Sequence, residues 1–360
     1  MPKTRVGIFT PDFYPSLGGI GVVALELYRG LLDDAEFEPL VFSPARNELP
    51  KHEHLPAIHT RLLLPITFSV TANALLEHLI RARGLDVLHF MGSSGGAQLL
   101  RKPSKPALFT LHNTYHYLYR QHPGLVFRVM RAAERRSLRK TTQVIPASYG
   151  VRDELPAPDG QNVQVIQNGI DTRLFYPRSV AREPFFLYLG RLGRRKGVFD
   201  LLEAFAQANL PGFELKLAGD GPQQEILEAA AELGVADRVR LLGHVPRAAM
   251  PDLFASAHAV VLPSWSEGFP LTVAEAMASG AVFIGSRIPG IIEQVEHGVT
   301  GFLCPAQDPA ALAKCLIEVA QLGPERLSVV REAAARAAQE HSNDRMIERY
   351  RAAYRALLRP

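Results

Sequence analysis

The chain alternates short apolar runs with longer segments of helical periodicity, and this alternation constrains the fold more than any other feature. Apolar runs of roughly four to eight residues indicate buried parallel strands, and the patterns between them indicate connecting helices. The runs of the first half are RVGIF, PLVFSP, DVLHFM, ALFTLH and QVIPAS. Those of the second half are FFLYLG, FELKLAG, VRLLG, AHAVVLPS and AVFIGS. The sequence therefore predicts doubly wound α/β architecture.

The pattern lapses in one long segment, NVQVIQNGIDTRLFYPRSVAREP, where Asn-Gly, prolines and charged residues interrupt it. Because 360 residues suffice for two domains with separate cores, we interpret this segment as a linker. The predicted division is 1–176, 177–341 and a helical tail at 342–360. Ligands of open α/β sheets bind at the carboxyl ends of the strands, so a crevice between the domains is the expected site.

Composition limits the class of protein. Hydrophobic residues make up 47% of the chain and charged residues 21%, as in globular proteins. The net charge of +4 is uneven, because the first 180 residues carry six surplus positive charges and the remainder two surplus negative ones. A basic first half suits an anionic substrate, an anionic membrane surface or nucleic acid, and charge alone does not separate these partners. No aromatic and basic recognition motif supports nucleic acid, which we exclude.

We expect neither a signal peptide nor a membrane-spanning helix. The apolar run near the start, in MPKTRVGIFTPDFYP, is too short for a signal peptide and is broken by Pro11 and Asp12. No apolar stretch approaches the roughly 20 residues of a membrane-spanning helix. The two cysteines, Cys304 and Cys315, form no C-x-x-C motif and favour a reducing compartment. We therefore predict a cytoplasmic location.

A glycine loop, with Gly18, Gly19 and Gly21, follows the first strand and opens a helix, so its backbone N–H groups could face a phosphate. It does not match G-x-G-x-x-G, and no acidic residue ends a second strand as a dinucleotide site requires. A nicotinamide-dependent dehydrogenase is therefore a poor interpretation. The glycines could equally serve a tight turn.

Two glutamates, Glu267 and Glu275, lie on either side of a helix start in SEGFPLTVAEAMASG, with Pro270 between them. A helix N-terminus attracts anions through its free N–H groups and its dipole. The two carboxylates could cap the helix or could bind a ligand themselves.

Four cations follow a strand end in LGRLGRRKG: Arg191, Arg194, Arg195 and Lys196. Arginine grips phosphate oxygens with two parallel hydrogen bonds, and lysine adds a point charge. A solvated basic turn is the alternative. No D-x-D motif occurs, and HNTYH lacks the glutamate of the zinc-protease pattern. We therefore predict no metal, and Arg and Lys are the expected stabilisers of a departing phosphate.

Residues 120–140 carry seven basic residues and one acidic one, Glu134. Apolar residues in the same segment, Leu125, Val126, Val129 and Met130, could form one hydrophobic face. Such a helix could lie on an anionic membrane. It could also be an ordinary surface helix of the domain.

Together these segments resemble the retaining glycosyltransferases of family 4, the group 1 glycosyl transferases with a GT-B fold. The matching segments span nearly the whole chain: FYPSLGGIGVVALELYRGL, VLHFMG, TLHNTYH, NGIDTRLFYP, LGRLGRRKG, LAGDGP and LPSWSEGFPLTVAEAMASGAVFIGSRIPGIIEQVEHGVTGFL. The last is the most specific, because it carries the E-x7-E pair. The resemblance implies two Rossmann-like doubly wound domains facing each other across a cleft, with the tail crossing back to the first domain.

The resemblance also implies roles for residues. Glu267 would accept hydrogen bonds from the donor sugar, and Glu275 from the nucleotide ribose. The diphosphate would lie at the helix start, beside the backbone of Phe269, Pro270 and Leu271.

Four further residues gain implied roles. Arg191 and Lys196 would neutralise the leaving phosphate, and Gly19 would approach the diphosphate from the first domain. His112 would contact the donor sugar, although Asn113 departs from the Gly or Asp that is common after this histidine. Asn343 replaces a common aromatic in the tail, which affects packing.

The implied activity is a hexosyltransferase-type transfer from a UDP- or GDP-sugar, with UDP favoured, to a glycan or lipid-linked acceptor. It would need no metal or other cofactor and would proceed with retention of anomeric configuration. Cell-envelope or capsule polysaccharide synthesis is the expected context, with peripheral contact of 120–140 to the inner face of the cell membrane. A nucleotide-sugar epimerase of the same fold and a non-catalytic nucleotide-sugar-binding subunit remain the alternatives.

Overall fold

The computed structural model describes residues 2–15, 18–58, 64–92, 99–121, 124–155 and 162–359. The chain consists of two compact units. Unit 1 comprises Met1–Gly169 with Asn343–Pro360, and unit 2 comprises Ile170–Ser342.

Unit 1 is built on a parallel sheet with the strand order β3-β2-β1-β4-β5-β6-β7 among the described residues. Its strands are β1 (Thr4–Phe9), β2 (Phe37–Ser43), β3 (His52–His54), β4 (Val87–Gly92), β5 (Ala107–Leu111), β6 (Gln143–Pro146) and β7 (Asn162–Val163). Its helices are α1 (Gly19–Leu32), α2 (Leu64–Arg83), α3 (Tyr115–Gln121), α4 (Leu125–Leu138), α5 (Tyr149–Asp153) and, from the chain end, α13 (Asn343–Leu358). Every residue of β4 and β5 is buried, as expected of parallel strands covered on both faces.

Unit 2 repeats the architecture with the strand order β10-β9-β8-β11-β12-β13, again parallel. Its strands are β8 (Phe185–Leu189), β9 (Glu214–Ala218), β10 (Val239–Gly243), β11 (Ala259–Leu262), β12 (Phe283–Ser286) and β13 (Phe302–Cys304). Its helices are α6 (Val198–Ala208), α7 (Gln223–Glu232), α8 (Met250–Ser256), α9 (Leu271–Ala278), α10 (Pro289–Ile292), α11 (Pro309–Ala320) and α12 (Pro324–Ala338). Within the described ranges, no helix has the length and hydrophobicity that a membrane span requires.

The boundary between the units corrects the sequence prediction. The division falls after Gly169 rather than after residue 176, because Ile170 and Phe175 are fully buried in the core of unit 2. The segment interpreted as a linker also begins with a strand, since β7 pairs with β6 through Gln143 and Val144.

Helix α13 packs in unit 1, although it follows unit 2 in the chain. At its start Asn343 donates from Nδ2 to Glu26 Oε2 of α1 at 2.7 Å. Further along, Arg351 forms an ion pair with Asp34 at the end of α1. The buried Tyr354 hydroxyl lies 2.7 Å from His89 Nδ1 of β4, so the helix is tied to the centre of the sheet.

His89 makes the stability of unit 1 sensitive to acid. Burial lowers the pKa of His89 to about 3, whereas an unfolded histidine titrates near pH 6.5. Between these values the unfolded state binds more protons, so stability is lost as the pH falls. One such proton changes the free energy of unfolding by about 1.4 kcal/mol per pH unit.

We predict that His89→Gln makes the free energy of unfolding less dependent on pH between about 6 and 4. Urea denaturation at a series of pH values, followed by a signal from unit 1, measures the slope. His54→Gln, at an exposed position of β3, is the control. Equal slopes in wild type and His89→Gln would show that His89 does not cause the acid sensitivity.

Candidate active site

The cation loop after β8 places one of its four cations against Glu267. Lys196 ends a 3-10 helix, Arg194–Lys196, and its Nζ lies 2.5 Å from Glu267 Oε1. The hydroxyl of Ser264 donates to the same oxygen at 2.6 Å. Only 10% of the Glu267 side chain is exposed, against 35% of the Lys196 side chain, so the carboxylate is the more shielded partner.

The other cations of the loop have different environments. The Arg194 guanidinium lies 4.5 Å from the ring centroid of Phe199, so this residue packs on α6. Arg191 is exposed and forms no ion pair with any described residue. Its carbonyl accepts a hydrogen bond from the Tyr188 hydroxyl at 2.7 Å. Burial, together with the charge of Glu267, raises the pKa of Tyr188, which therefore remains a donor.

The start of α9 carries no side-chain cap, because the preceding residue is Pro270 in an extended conformation. The Phe269 side chain is buried with its ring edge-on to His341, at 5.2 Å between centroids. Gln294 donates to the carbonyls of Gly290 and Pro270, at 2.9 and 3.4 Å. In the first turn, which includes Leu271, the N–H of Val273 donates to the Pro270 carbonyl at 3.3 Å. This turn also carries the positive end of the helix dipole, which favours an anion.

Glu275 has a partner that sequence reasoning missed. Arg247 donates from Nη1 to Glu275 Oε1 at 2.6 Å, and only 4% of the Glu275 side chain is exposed. The arginine opens a 3-10 helix, Arg247–Ala249, in the segment after β10. Arg247 and Glu275 are 28 residues apart, so no local sequence pattern links them. The indication of a partner is chemical, because buried charged groups are generally paired with an opposite charge.

In unit 1 the glycine loop differs from the expectation. The Asp12 carboxylate accepts hydrogen bonds from the N–H groups of Gly18, at 3.0 and 3.1 Å, and Gly21, at 3.1 Å. These two amides are therefore engaged by the protein and do not face a phosphate. A Cβ added to Gly19 would meet no described residue within 4 Å, so the described part of the chain leaves this position open.

His112 lies at the end of β5, where its backbone N–H donates to the carbonyl of Gly92 at 3.0 Å. The side chain is buried, and burial lowers its pKa to about 4. Its Nε2 has no hydrogen-bond partner among the described residues. At neutral pH His112 is therefore an uncharged imidazole with one nitrogen available. Asn113 bonds locally, accepting from the N–H of Thr114 at 2.8 Å.

The predicted basic segment contains α4, whereas His122 and Pro123 lie outside the described residues. Leu125, Val126 and Val129 are 66%, 62% and 56% exposed. The exposed arginines of the same helix and its C-cap are Arg128, Arg135, Arg136 and Arg139. Its solvent side is therefore apolar at the beginning and basic towards the end.

Both units match models of known protein families. Residues 17–174 match the family model described as Glycosyltransferase Family 4, and residues 174–336 match Glycosyl transferases group 1. The chain belongs to the group 1, family 4 glycosyltransferases. Gly19 and His112 fall in the first matched region, and Glu267 and Glu275 fall in the second.

Full-length relatives agree with this glycosyltransferase assignment. The chain is 26% identical to N-acetyl-alpha-D-glucosaminyl L-malate synthase of Bacillus anthracis, over 99% of this chain and 98% of that protein. Sucrose-phosphate synthase from Thermosynechococcus elongatus has a similar structure, with a TM-score of 0.85 and 22% identity over 99% of both chains. Anabaena Alr3699/HepE in complex with UDP and glucose gives a TM-score of 0.77 and 19% identity over 98% of this chain and 100% of that chain. The predicted GT-B fold is confirmed.

Gly197 sets the position of Lys196 in this glycosyltransferase. It has a left-handed backbone, with φ of 71°, and an added Cβ would lie 2.0 Å from the carbonyl oxygen of Pro263. We predict that Gly197→Ala lowers the free energy of unfolding by about 2 kcal/mol or more and reduces sugar transfer, because both the backbone and the contact must shift.

Gly193→Ala is the matched control, because Gly193 is in the same loop with extended backbone and an added Cβ would meet nothing within 4 Å. Urea denaturation and a transfer assay compare the two variants. Equal losses in both would show that the conformation of Gly197 is not what holds Lys196.

Proposed function

We propose that this glycosyltransferase moves a sugar from a nucleoside-diphosphate sugar to a glycan or lipid-linked acceptor, with retention of anomeric configuration. The observation that carries the proposal is the shielded Lys196–Glu267 pair in the same unit as the uncapped α9. A cation and free helix amides suit a diphosphate, and a carboxylate suits the hydroxyls of a sugar. UDP is the favoured nucleotide, because Anabaena Alr3699/HepE was solved with UDP and glucose.

In this proposal the first turn of α9 and the backbone of residues 269–271 receive the diphosphate. Lys196 retains its contact with Glu267 and turns a further N–H towards the β-phosphate, since an ammonium has three donors. The exposed Arg191 supplies a second positive charge. Glu267 accepts from the donor sugar, and Glu275 accepts from the ribose.

The proposed reaction needs no protein nucleophile. The bond between the anomeric carbon and the β-phosphate oxygen breaks, and a bond to the acceptor oxygen forms on the same face of the sugar. The acceptor proton passes to the departing phosphate. Lys196 and Arg191 stabilise the charge that develops on that phosphate, which is the role a metal ion has in other phosphate-leaving reactions.

Two residues of unit 1, Gly19 and His112, keep their expected roles in this proposal. The open space beside Gly19 suits close approach of the diphosphate. His112 suits contact with the sugar as a neutral imidazole, because a cation there would oppose the positive charge that develops on the sugar in an oxocarbenium-like transition state.

We predict that Glu267→Ala lowers the rate of transfer by about 100-fold or more, since a preorganised contact to the reacting sugar is lost. UDP binding is expected to persist, because Lys196 is then free to meet the phosphate. Transfer is measured with a panel of UDP- and GDP-sugars, with and without EDTA. Binding of UDP, GDP, ADP and NAD is measured by calorimetry.

Glu228→Ala, on the exposed side of α7, is the control. Equal loss of transfer and of nucleotide binding in Glu267→Ala would contradict the assigned role. Loss of activity in EDTA that manganese restores would contradict a metal-free reaction. Binding of NAD alone would overturn the proposal as a whole.

The proposed place of the reaction is the cytoplasmic face of the cell membrane, in the synthesis of an envelope or capsule polysaccharide. The exposed side of α4 supports this, because three apolar side chains can insert between lipid headgroups while the arginines meet anionic lipid. A basic residue near such a surface contributes about 1 kcal/mol.

We predict that Leu125→Glu/Val129→Glu reduces binding to phosphatidylglycerol vesicles by about tenfold or more without loss of stability, because both side chains are exposed. Vesicle sedimentation at low and high salt measures the binding. Val329→Glu, which alters an equally exposed valine on α12, is the control. Equal binding to phosphatidylcholine vesicles, or no binding by the wild type, would rule out an electrostatic membrane contact.

A further inference from the structure

Arg247 holds Glu275 with one end of its guanidinium. Nη1 donates to Glu275 Oε1 at 2.6 Å, and Cζ lies 4.9 Å from the ring centroid of Phe175. A guanidinium can bind a carboxylate through two parallel hydrogen bonds. Here the side chain satisfies the charge of Glu275 and packs on an aromatic ring with one terminal nitrogen left over.

That second nitrogen, Nη2, is shielded from solvent and has no hydrogen-bond partner in the described part of the chain. A buried donor without an acceptor is costly, so such atoms require an explanation. Arg182 shows the usual arrangement in this unit, because its two terminal nitrogens donate to the carbonyls of Ala255 and Gly280 at 2.8 and 3.0 Å. Arg247 therefore has a donor beside Glu275 that the protein itself does not use.

We infer that Arg247 and Glu275 together read a ribose hydroxyl pair, and that Arg247 determines specificity for ribonucleotides over 2′-deoxyribonucleotides. The inference rests on the proposed function, in which Glu275 accepts from the ribose. A hydroxyl both donates and accepts. A ribose hydroxyl that donates to Glu275 has lone pairs free, and Nη2 of Arg247 donates to one of them. The deoxy analogue leaves the Nη2 donor without an acceptor.

A purely structural role for Arg247 and recognition of the ribose hydroxyl predict different changes in nucleotide binding when Arg247 is replaced. If the residue only neutralises Glu275 and supports α9, its loss weakens the binding of every nucleotide by the same factor. If it reads the hydroxyl, its loss weakens the ribonucleotide most, because a site built to hydrogen-bond a hydroxyl discriminates strongly against the analogue without it. The ratio of dissociation constants for the two nucleotides separates these roles.

The experiment measures dissociation constants for UDP, 2′-deoxy-UDP, GDP and 2′-deoxy-GDP by calorimetry on the full chain. We expect the wild type to bind its preferred ribonucleotide at least tenfold more tightly than the deoxy form. Arg247→Met is expected to reduce that ratio to threefold or less. Arg247→Lys keeps the positive charge near Glu275 but lacks the second terminal nitrogen, so it is expected to fold as the wild type does and still show a reduced ratio.

Arg238→Met is the matched control, because the Arg238 guanidinium also lies 4.9 Å from an aromatic centroid, that of Phe205, and donates to a backbone carbonyl. This control is expected to leave the ratio unchanged. An unchanged ratio in both Arg247 variants, or a wild type that binds both forms equally, would overturn the inference and leave the proposed function standing. A wild type that binds no nucleoside diphosphate would overturn both.

Discussion

The two largely buried carboxylates Glu267 and Glu275 constrain the structure of unit 2, because each has a cation against it. Removing an ion from water costs several kcal/mol, and breaking a buried pair by deleting one partner costs about 3–5 kcal/mol. The Lys196 and Arg247 side chains are 35% and 28% exposed, so solvent screens both pairs and the cost of losing either cation is smaller. In each pair the cation contacts Oε1 of the glutamate, and carboxylate oxygens are the acceptors that a hydroxyl group requires.

The backbone around these pairs is arranged by close approaches that only glycine allows. An added Cβ at Gly290 would lie 2.6 Å from the carbonyl oxygen of Glu267 and 2.5 Å from that of Gly268. Helix α10 therefore packs directly on the loop that carries Glu267. Together with the close contact of Gly197 with Pro263, this positions the backbone that carries both partners of the Lys196–Glu267 pair.

Periodicity was sufficient for the parts of the fold that are regular over several turns or strands. All ten apolar runs contain strands of the two sheets, and Glu267 and Glu275 lie in a loop and a helix as the pattern indicated. Periodicity did not predict the elements whose position depends on tertiary contacts. Strand β7 has two residues and exists through its pairing with β6, so no pattern could develop. Phe175 lies among linker-like residues, and its place in the core of unit 2 depends on packing against Phe254.

In the candidate site, too, residues within a local motif could be predicted, whereas contacts between residues distant in sequence could not. The position of Lys196 beside a strand end was a local signal, and its pairing with Glu267 is a consequence of two parallel strands ending at one edge of the sheet. Arg247 is 28 residues from Glu275 and belongs to no motif. Only the burial of the Glu275 carboxylate indicates that a cation should lie beside it. Asp12 is similar, because nothing in PDFYPSLGGIG indicates that its carboxylate takes two of the loop amides.

Asp12 also changes what the glycine loop can contribute. Its negative charge occupies the start of α1, where a phosphate would otherwise gain from the helix dipole, and it satisfies the amides of Gly18 and Gly21. The start of α1 is therefore less suited to an anion than the start of α9, which has no side-chain cap. At Gly19 the described residues impose no steric need for glycine, because a Cβ there would meet none of them within 4 Å. A requirement for glycine at this position would have to come from a molecule that approaches the loop, and not from the fold.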